Sequence, residues 1–245
     1  YFFIRQSFTL SNINVLNKLE DDLLILSNEL NAEFFLSDIQ SSMNTIMLVS
    51  KFDHCLNDIL YRVRNNSLNL NIKAIVSNHK IAEEIANFSK IPFYYFPVDK
   101  SNKEKQELKI KNLIIKNDVE MIVLARYMQV LSKEFTNEFQ GKIINIHHSF
   151  LPSFKGAKPY HQAFERGVKV IGATAHYVTS DLDEGPIIEQ DTQIVDHEMM
   201  PNNLVSMGRD VESRVLYRAL KAHSERRVFL NGNRTVVFKG HRILG

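Results

Sequence analysis

Asn145, His147 and Asp183 are residue types that suit attack on an acyl carbon. An Asn amide can donate to the oxyanion that develops on the carbonyl oxygen. Losing one such donor typically costs about 2.7–4 kcal/mol of barrier. His moves a proton near neutral pH and contributes roughly 10²–10⁴ in rate. A carboxylate orients the imidazole or activates water. The chain has a single cysteine, Cys55, and no Gly-x-Ser-x-Gly elbow. That favours direct attack by water or an amine over a covalent intermediate. His148 is adjacent to His147 and is read as positioning substrate, and His176 as supporting Asp183 or its loop. A metal set of His147, His148 or His176 with Asp183 is conceivable. Adjacent histidines rarely converge on one ion without a third well-placed ligand, so the expectation is no metal.

These residues need elements that hold them still. Ile143, Ile144 and Ile146 read as a short buried strand that ends at His147 and His148. The loop from Pro152 to Gly156 cannot continue strand or helix. A strand follows over Val168 to Val178, then a turn carrying Asp183, then a strand from Pro186. Upstream, apolar strands at 46–49, 72–77, 92–97 and 119–124 alternate with amphipathic helices at 54–64, 80–88 and 103–116. This order predicts an α/β fold with a doubly wound, mostly parallel sheet. Such sheets bind ligands at the carboxyl ends of their strands, near the switch in strand order. Pro201 opens the last long helix, whose Leu204, Val211, Val215, Ala219 and Leu220 face the sheet. A terminal hairpin spans Asn231, Gly232 and Asn233.

The 245 residues are 44% apolar and 24% charged, with a formal net charge of +2. That is an ordinary globular composition, with no basic field for nucleic acid. One cysteine excludes an internal disulfide framework and fits a reducing cytoplasm. No apolar run reaches the roughly 18–20 residues of a membrane span. The chain starts at Tyr1 inside a strand-like run, so a fragment is expected. Residues 1–40 read as strand, helix, strand, with Ser11 as N-cap and Leu16, Leu19, Leu23, Leu26 and Leu30 as one apolar stripe. So small a unit cannot bury a core alone; it must lean on missing residues, on the main domain or on a second copy, and the last of these predicts a dimerisation element and a homo-oligomer. The segment 40–44 is a polar linker, placing a second domain over 45–245.

The pattern Asn145-x-His147-His148-Ser149-x-Leu151-Pro152, followed by His176-Tyr177-Val178-Thr179-x-x-Leu182-Asp183-x-Gly185-Pro186-Ile187-Ile188-x-Gln190, is highly specific. It resembles the folate-dependent formyl-transfer enzymes, and most closely their hydrolytic branch. The likeness covers nearly the whole chain, from about Tyr1 to Gly240. It implies the formyltransferase fold and hydrolysis of 10-formyltetrahydrofolate, as substrate, to formate and tetrahydrofolate. These products would feed one-carbon metabolism and purine biosynthesis, with no prosthetic group needed. It implies catalytic roles for Asn145, His147 and Asp183, and pterin contacts from Met128, Gln129, Val130 and Leu131. Lys155, Lys158, Tyr160 and His161 would suit a glutamate tail or formate. It also implies an N-terminal ACT-type module of βαββαβ order, of which residues 1–40 look like the last β-α-β only.

The close alternative is a formyltransferase of the glycinamide ribonucleotide type. Those relatives carry a Gly-rich turn after the first strand. Here the turn is Val49-Ser50-Lys51-Phe52-Asp53-His54, without glycine, so no backbone cradle closes on a phosphate. Phe52, Asp53 and His54 are expected to fill the acceptor's place. The distant alternative is a non-catalytic amino-acid sensor that uses the N-terminal unit as its ligand domain.

Overall fold

The computed structural model describes residues 1–10, 12, 15–99, 101–151 and 159–240. Ser11, Lys155, Lys158 and the loop from Pro152 lie outside the described residues. The chain divides into two compact units, Tyr1–Ser41 and Ser42–Gly245.

Among the described residues the first unit contains one helix, α1 (Val15–Leu30), which buries no side chain. The two expected flanking segments are not assigned as strand among the described residues. Phe2, Leu24, Ile25, Leu30 and Phe35 are exposed.

In the second unit the expected alternation is present. It runs β1 (Met43–Val49), α2 (His54–Arg64), β2 (Leu70–Ser77), α3 (Glu83–Phe88), β3 (Phe93–Tyr95), α4 (Lys103–Lys116) and β4 (Met121–Leu124). After these come α5 (Lys133–Glu138), β5 (Ile143–His147), α6 (Pro159–Glu165), β6 (Val170–Tyr177), β7 (Ile187–Ile194) and α7 (Pro201–Ser224). The hairpin β8 (Val228–Asn231) and β9 (Arg234–Val237) closes the described chain.

Seven strands form one sheet in the order β3-β2-β1-β4-β5-β6-β7. The first five are mutually parallel; at one end β6 runs antiparallel to β5, and β7 antiparallel to β6. Side chains of β1 alternate between two cores. Met47 and Val49 pack with α2 and α7, and Ile46 and Leu48 pack with α4 and α5. Burial on both faces explains why β1 reads as a continuous apolar run rather than an alternating one. Each fully buried Ile or Leu contributes about 1.5–3 kcal/mol.

The short helices α5 and α6 are not evident in the sequence, since six or seven residues give too few turns for a periodic pattern. α5 is fixed by its cap: the Ser132 hydroxyl accepts from the Phe135 N–H at 3.1 Å. α7 begins as expected at Pro201, and the Met200 N–H donates to Asn203 Oδ1 at 2.9 Å.

Strand order switches between β1 and β4. The turns after these two strands are therefore the ligand crevice of the fold. They are tied together: the Ser50 N–H donates to the Arg126 carbonyl, and the Ser50 hydroxyl accepts from the Met128 N–H at 3.0 Å.

Candidate active site

Asn145 and His147 are two residues apart on β5, so both side chains leave the same face of the sheet. The antiparallel register sets His176 of β6 directly opposite Asn145. Asp183 comes from the turn between β6 and β7 and has φ of 57°, a left-handed conformation that Asp tolerates better than most residues. Gly185 makes that turn possible, because a Cβ there would run into the Tyr177 carbonyl oxygen. The three reacting groups and His176 are therefore brought together from two neighbouring strands and one turn.

His147 Nδ1 lies 3.2 Å from Asp183 Oδ1. Its other nitrogen, Nε2, is buried and has no hydrogen-bond partner among the described residues. A buried imidazole nitrogen without a partner is the atom to expect at a reacting group. His176 Nδ1–H donates to the Tyr177 carbonyl at 2.9 Å. Its Nε2 is then a bare acceptor and takes an N–H from the Asn145 amide at 3.2 Å. Asn145 keeps a second N–H for a developing oxyanion.

His176 Nε2 is also 3.7 Å from Asp183 Oδ1. One bare nitrogen cannot accept from Asn145 and donate to Asp183 at once. The shorter contact decides, so His147 is the main partner of the carboxylate. Burial by itself raises the Asp183 carboxyl. Hydrogen bonding from His147, with His176 close by, overcomes this and holds it well below the usual carboxylate range. Asp183 is ionised at neutral pH.

His148 lies one step further into the site. Its ring is 5.2 Å from that of His147 and 6.3 Å from that of Tyr160. Burial first, and the Arg126 charge second, lower it to about 4. It is a neutral group at pH 7.

The segment after β4 is less sharply placed. Met128 and Val130 are exposed, and Gln129 and Leu131 are half-buried. The Met128 N–H is committed to Ser50, so it is not free to read the edge of a ring. Tyr160 is buried on α6 and points to α7 rather than to solvent.

Sequence reasoning missed the groups that Tyr160 meets. Glu212 of α7 is 1% exposed and accepts from Tyr160 OH at 2.7 Å. It also pairs with His54 Nε2 at 2.8 Å and Arg126 Nε at 3.3 Å. The signal was its position: Val211, Val215 and Leu216 put residue 212 on the buried stripe of the helix. His54, Cys55 and Glu212 offer ligand atoms within 4.8 Å of one another. The Arg126 guanidinium beside the carboxylate, and a Cys55 thiol pushed well above its usual range by burial, favour an ion cluster there over a cation.

The fold and this site define a formyl-transfer class of enzyme, and the family described as Formyl transferase matches residues 43–220. The chain belongs to that family. It is 46% identical over 226 residues to a formyltetrahydrofolate deformylase of Corynebacterium sp. (strain P-1), covering 92% of this chain and 79% of that one. It also resembles the crystal structure of a formyltetrahydrofolate deformylase from Burkholderia mallei, with TM-score 0.88 and 47% identity over 91% of this chain and 80% of the other. A glycinamide ribonucleotide transformylase from Symbiobacterium toebii shares the fold at TM-score 0.76 and 25% identity, covering 84% and 98% of the two chains.

Proposed function

We propose that the protein hydrolyses 10-formyltetrahydrofolate to formate and tetrahydrofolate. The observation that carries this is the His147 imidazole, anchored at Nδ1 on an ionised Asp183 with a buried and unpartnered Nε2, beside the Asn145 amide. Water attacks the formyl carbon; a C–O bond forms and the C–N bond to the folate breaks. Asn145 donates to the oxygen as it becomes an oxyanion. Water loses a proton and the leaving nitrogen gains one; His147 Nε2 carries it between them. Asp183 holds the imidazole and the attacking water. His176 keeps the Asn145 amide aimed, and the neutral His148 lies against substrate.

The segment Met128 to Leu131 is proposed to contact the pterin by side chains and the remaining backbone groups. The deformylases named above, nearly half identical to this chain, support water as acceptor over an amine. So does the turn at Ser50–His54, which lacks glycine.

The family resemblance and the chain's own features prompt three further proposals. Residues 1–40 belong to an ACT-like module. The exposed apolar side chains of α1 and of Phe35 favour a homo-oligomer. One buried free cysteine favours a cytoplasmic location. Among the described residues no helix is long and apolar enough to cross a membrane.

The test is formate release by purified protein from 10-formyltetrahydrofolate with no amine present, with tetrahydrofolate formed in equal amount. Release that appears only on adding an amine would assign a transferase instead.

A further inference from the structure

Gln190 closes the specific pattern read in the sequence, yet the reaction steps above give it no part. It sits on β7 directly opposite Thr174 of β6, and Thr174 is directly opposite His147 of β5. Cross-strand partners share one face of a sheet. His147, Thr174 and Gln190 therefore form a row across three strands, on the face that carries the reacting groups.

His147 is the last residue of β5. The ladder to β6 stops at its pair with Thr174, and the ladder to β4 stops earlier still, at Asn145. Beyond His147 the chain leaves the sheet, and its backbone N–H and C=O groups must find other partners. Thr174 and Gln190 supply them from their side chains. The Thr174 hydroxyl donates to the Ser149 carbonyl at 3.0 Å and accepts from the Leu151 N–H at 3.0 Å. Gln190 Nε2 donates to the Leu151 carbonyl at 2.9 Å and to Thr174 Oγ1 at 2.9 Å. A hydroxyl offers one donor and two acceptor lone pairs, and an amide nitrogen offers two donors. Every one of these is used.

The sheet is shaped to receive the loop. Gly172 lies two residues before Thr174 on the same face of β6. A Cβ there would sit 2.6 Å from the Asp191 carbonyl oxygen and 3.2 Å from the Phe150 Cβ, so only glycine lets the backbone come this close. Ser149, Leu151 and Thr174 are all buried.

Hydrogen bonds of this kind replace bonds to water and add little net stability. A fully satisfied buried network fixes geometry instead. The geometry at stake is that of His147. Its contact with Asp183, 3.2 Å at Nδ1, fixes a distance but not the direction in which Nε2 points. That direction depends on the backbone at 147 and 148, where both ladders have ended.

We propose that Gln190, acting together with Thr174, locks the segment Ser149–Leu151 and so holds the His147 imidazole in its reacting position. The two are positioning residues, not catalytic ones. The inference rests on the hydrolase reading above.

The experiment measures formate release from 10-formyltetrahydrofolate without amine, per folate site counted by calorimetry with a non-hydrolysable folate. Gln190→Met fills the space but brings no donor. It lowers kcat about 10–100-fold, the cost of displacing a reacting group by about 1 Å, with KM little changed. Thr174→Val keeps the shape, loses the hydroxyl and has the same effect. Thr174→Ser restores the donor and both acceptors and recovers most of the turnover that Thr174→Val loses. The double variant is no slower than the slower single one, because both changes release the same segment. The proposal is overturned if Gln190→Met keeps the wild-type kcat per site, even with a lower urea midpoint, since that describes a purely structural role. It is also overturned if Thr174→Ser is as slow as Thr174→Val, or if the two losses multiply in the double variant. Should Thr174→Val fail to fold, Gln190→Met and Thr174→Ser decide. Failure of the wild type to release formate without amine is a separate result that removes the hydrolase reading itself.

Discussion

Replacing Asp183 by Asn should nearly abolish turnover while leaving folate binding almost intact. The side chain keeps its size, so the turn at φ of 57° and its packing survive. What disappears is the negative charge 3.2 Å from His147 Nδ1. In the transition state His147 carries a proton at both nitrogens, and the carboxylate stabilises that imidazolium. At 3.2 Å and an effective dielectric of about 20, one charge pair contributes about 5 kcal/mol. Each 1.36 kcal/mol is tenfold in rate, so kcat should fall by about 10³–10⁴. The side chain of Asp183 is 19% exposed, so screening moves the effect toward the lower end of that range. His176 adds little, because its Nε2 is occupied by Asn145. The assay is formate release at saturating 10-formyltetrahydrofolate, with affinity for a non-hydrolysable folate measured by calorimetry. An Asp183→Asn enzyme that keeps kcat within tenfold of wild type would refute the role given to the carboxylate. So would a variant whose only change is weaker folate binding.

Asn145→Ala should lower kcat by about 10²–10³ with KM little changed, since the amide acts on the developing oxyanion; a rise in KM at constant kcat contradicts this. Gly185→Ala should destabilise the fold by about 1–3 kcal/mol or more, because the new Cβ has the Tyr177 carbonyl in its way. It should also slow turnover by moving Asp183, and a melting temperature equal to wild type would count against the geometry.

Acid should weaken the fold from pH 6.5 downward. Burial lowers both His148 and His223 from 6.5 to about 4, with Arg126 and Arg226 adding to it. Each folded-state pKa lies below its unfolded value, so the unfolded chain binds more protons between the two. Stability from these residues is complete above about pH 6.5 and lost as pH falls toward 4, by at most about 3.4 kcal/mol each. Urea midpoints at pH 7 and pH 5 check the sign, and a higher midpoint at pH 5 contradicts it.

Much of the sheet was legible because its strands are buried on both faces. Ile46 to Val49 and Met121 to Leu124 read as apolar runs for that reason. Asn145 and His147 were legible because a period of two along a buried strand sets both on one face. Asp183 was legible from the Asp-x-Gly-Pro turn. His176 was assigned to Asp183 or the loop, and its Nε2 lies 3.7 Å from Asp183 Oδ1; the register of β5 on β6 adds Asn145 as a nearer partner, which no local pattern discloses. Glu212, Arg126 and Tyr160 come from segments far apart in the chain, and only the tertiary fold shows that they meet. The strands expected in residues 1–40 rested on β-branched and aromatic content. Such content describes a surface that suits a sheet but does not supply the neighbouring strand.

The most direct test of the account is a single turnover in water enriched in oxygen-18, with no amine present. Direct attack by water on the formyl carbon predicts formate carrying one heavy oxygen, formed together with tetrahydrofolate. Unlabelled formate, or a formylated protein side chain recovered during the turnover, would contradict it.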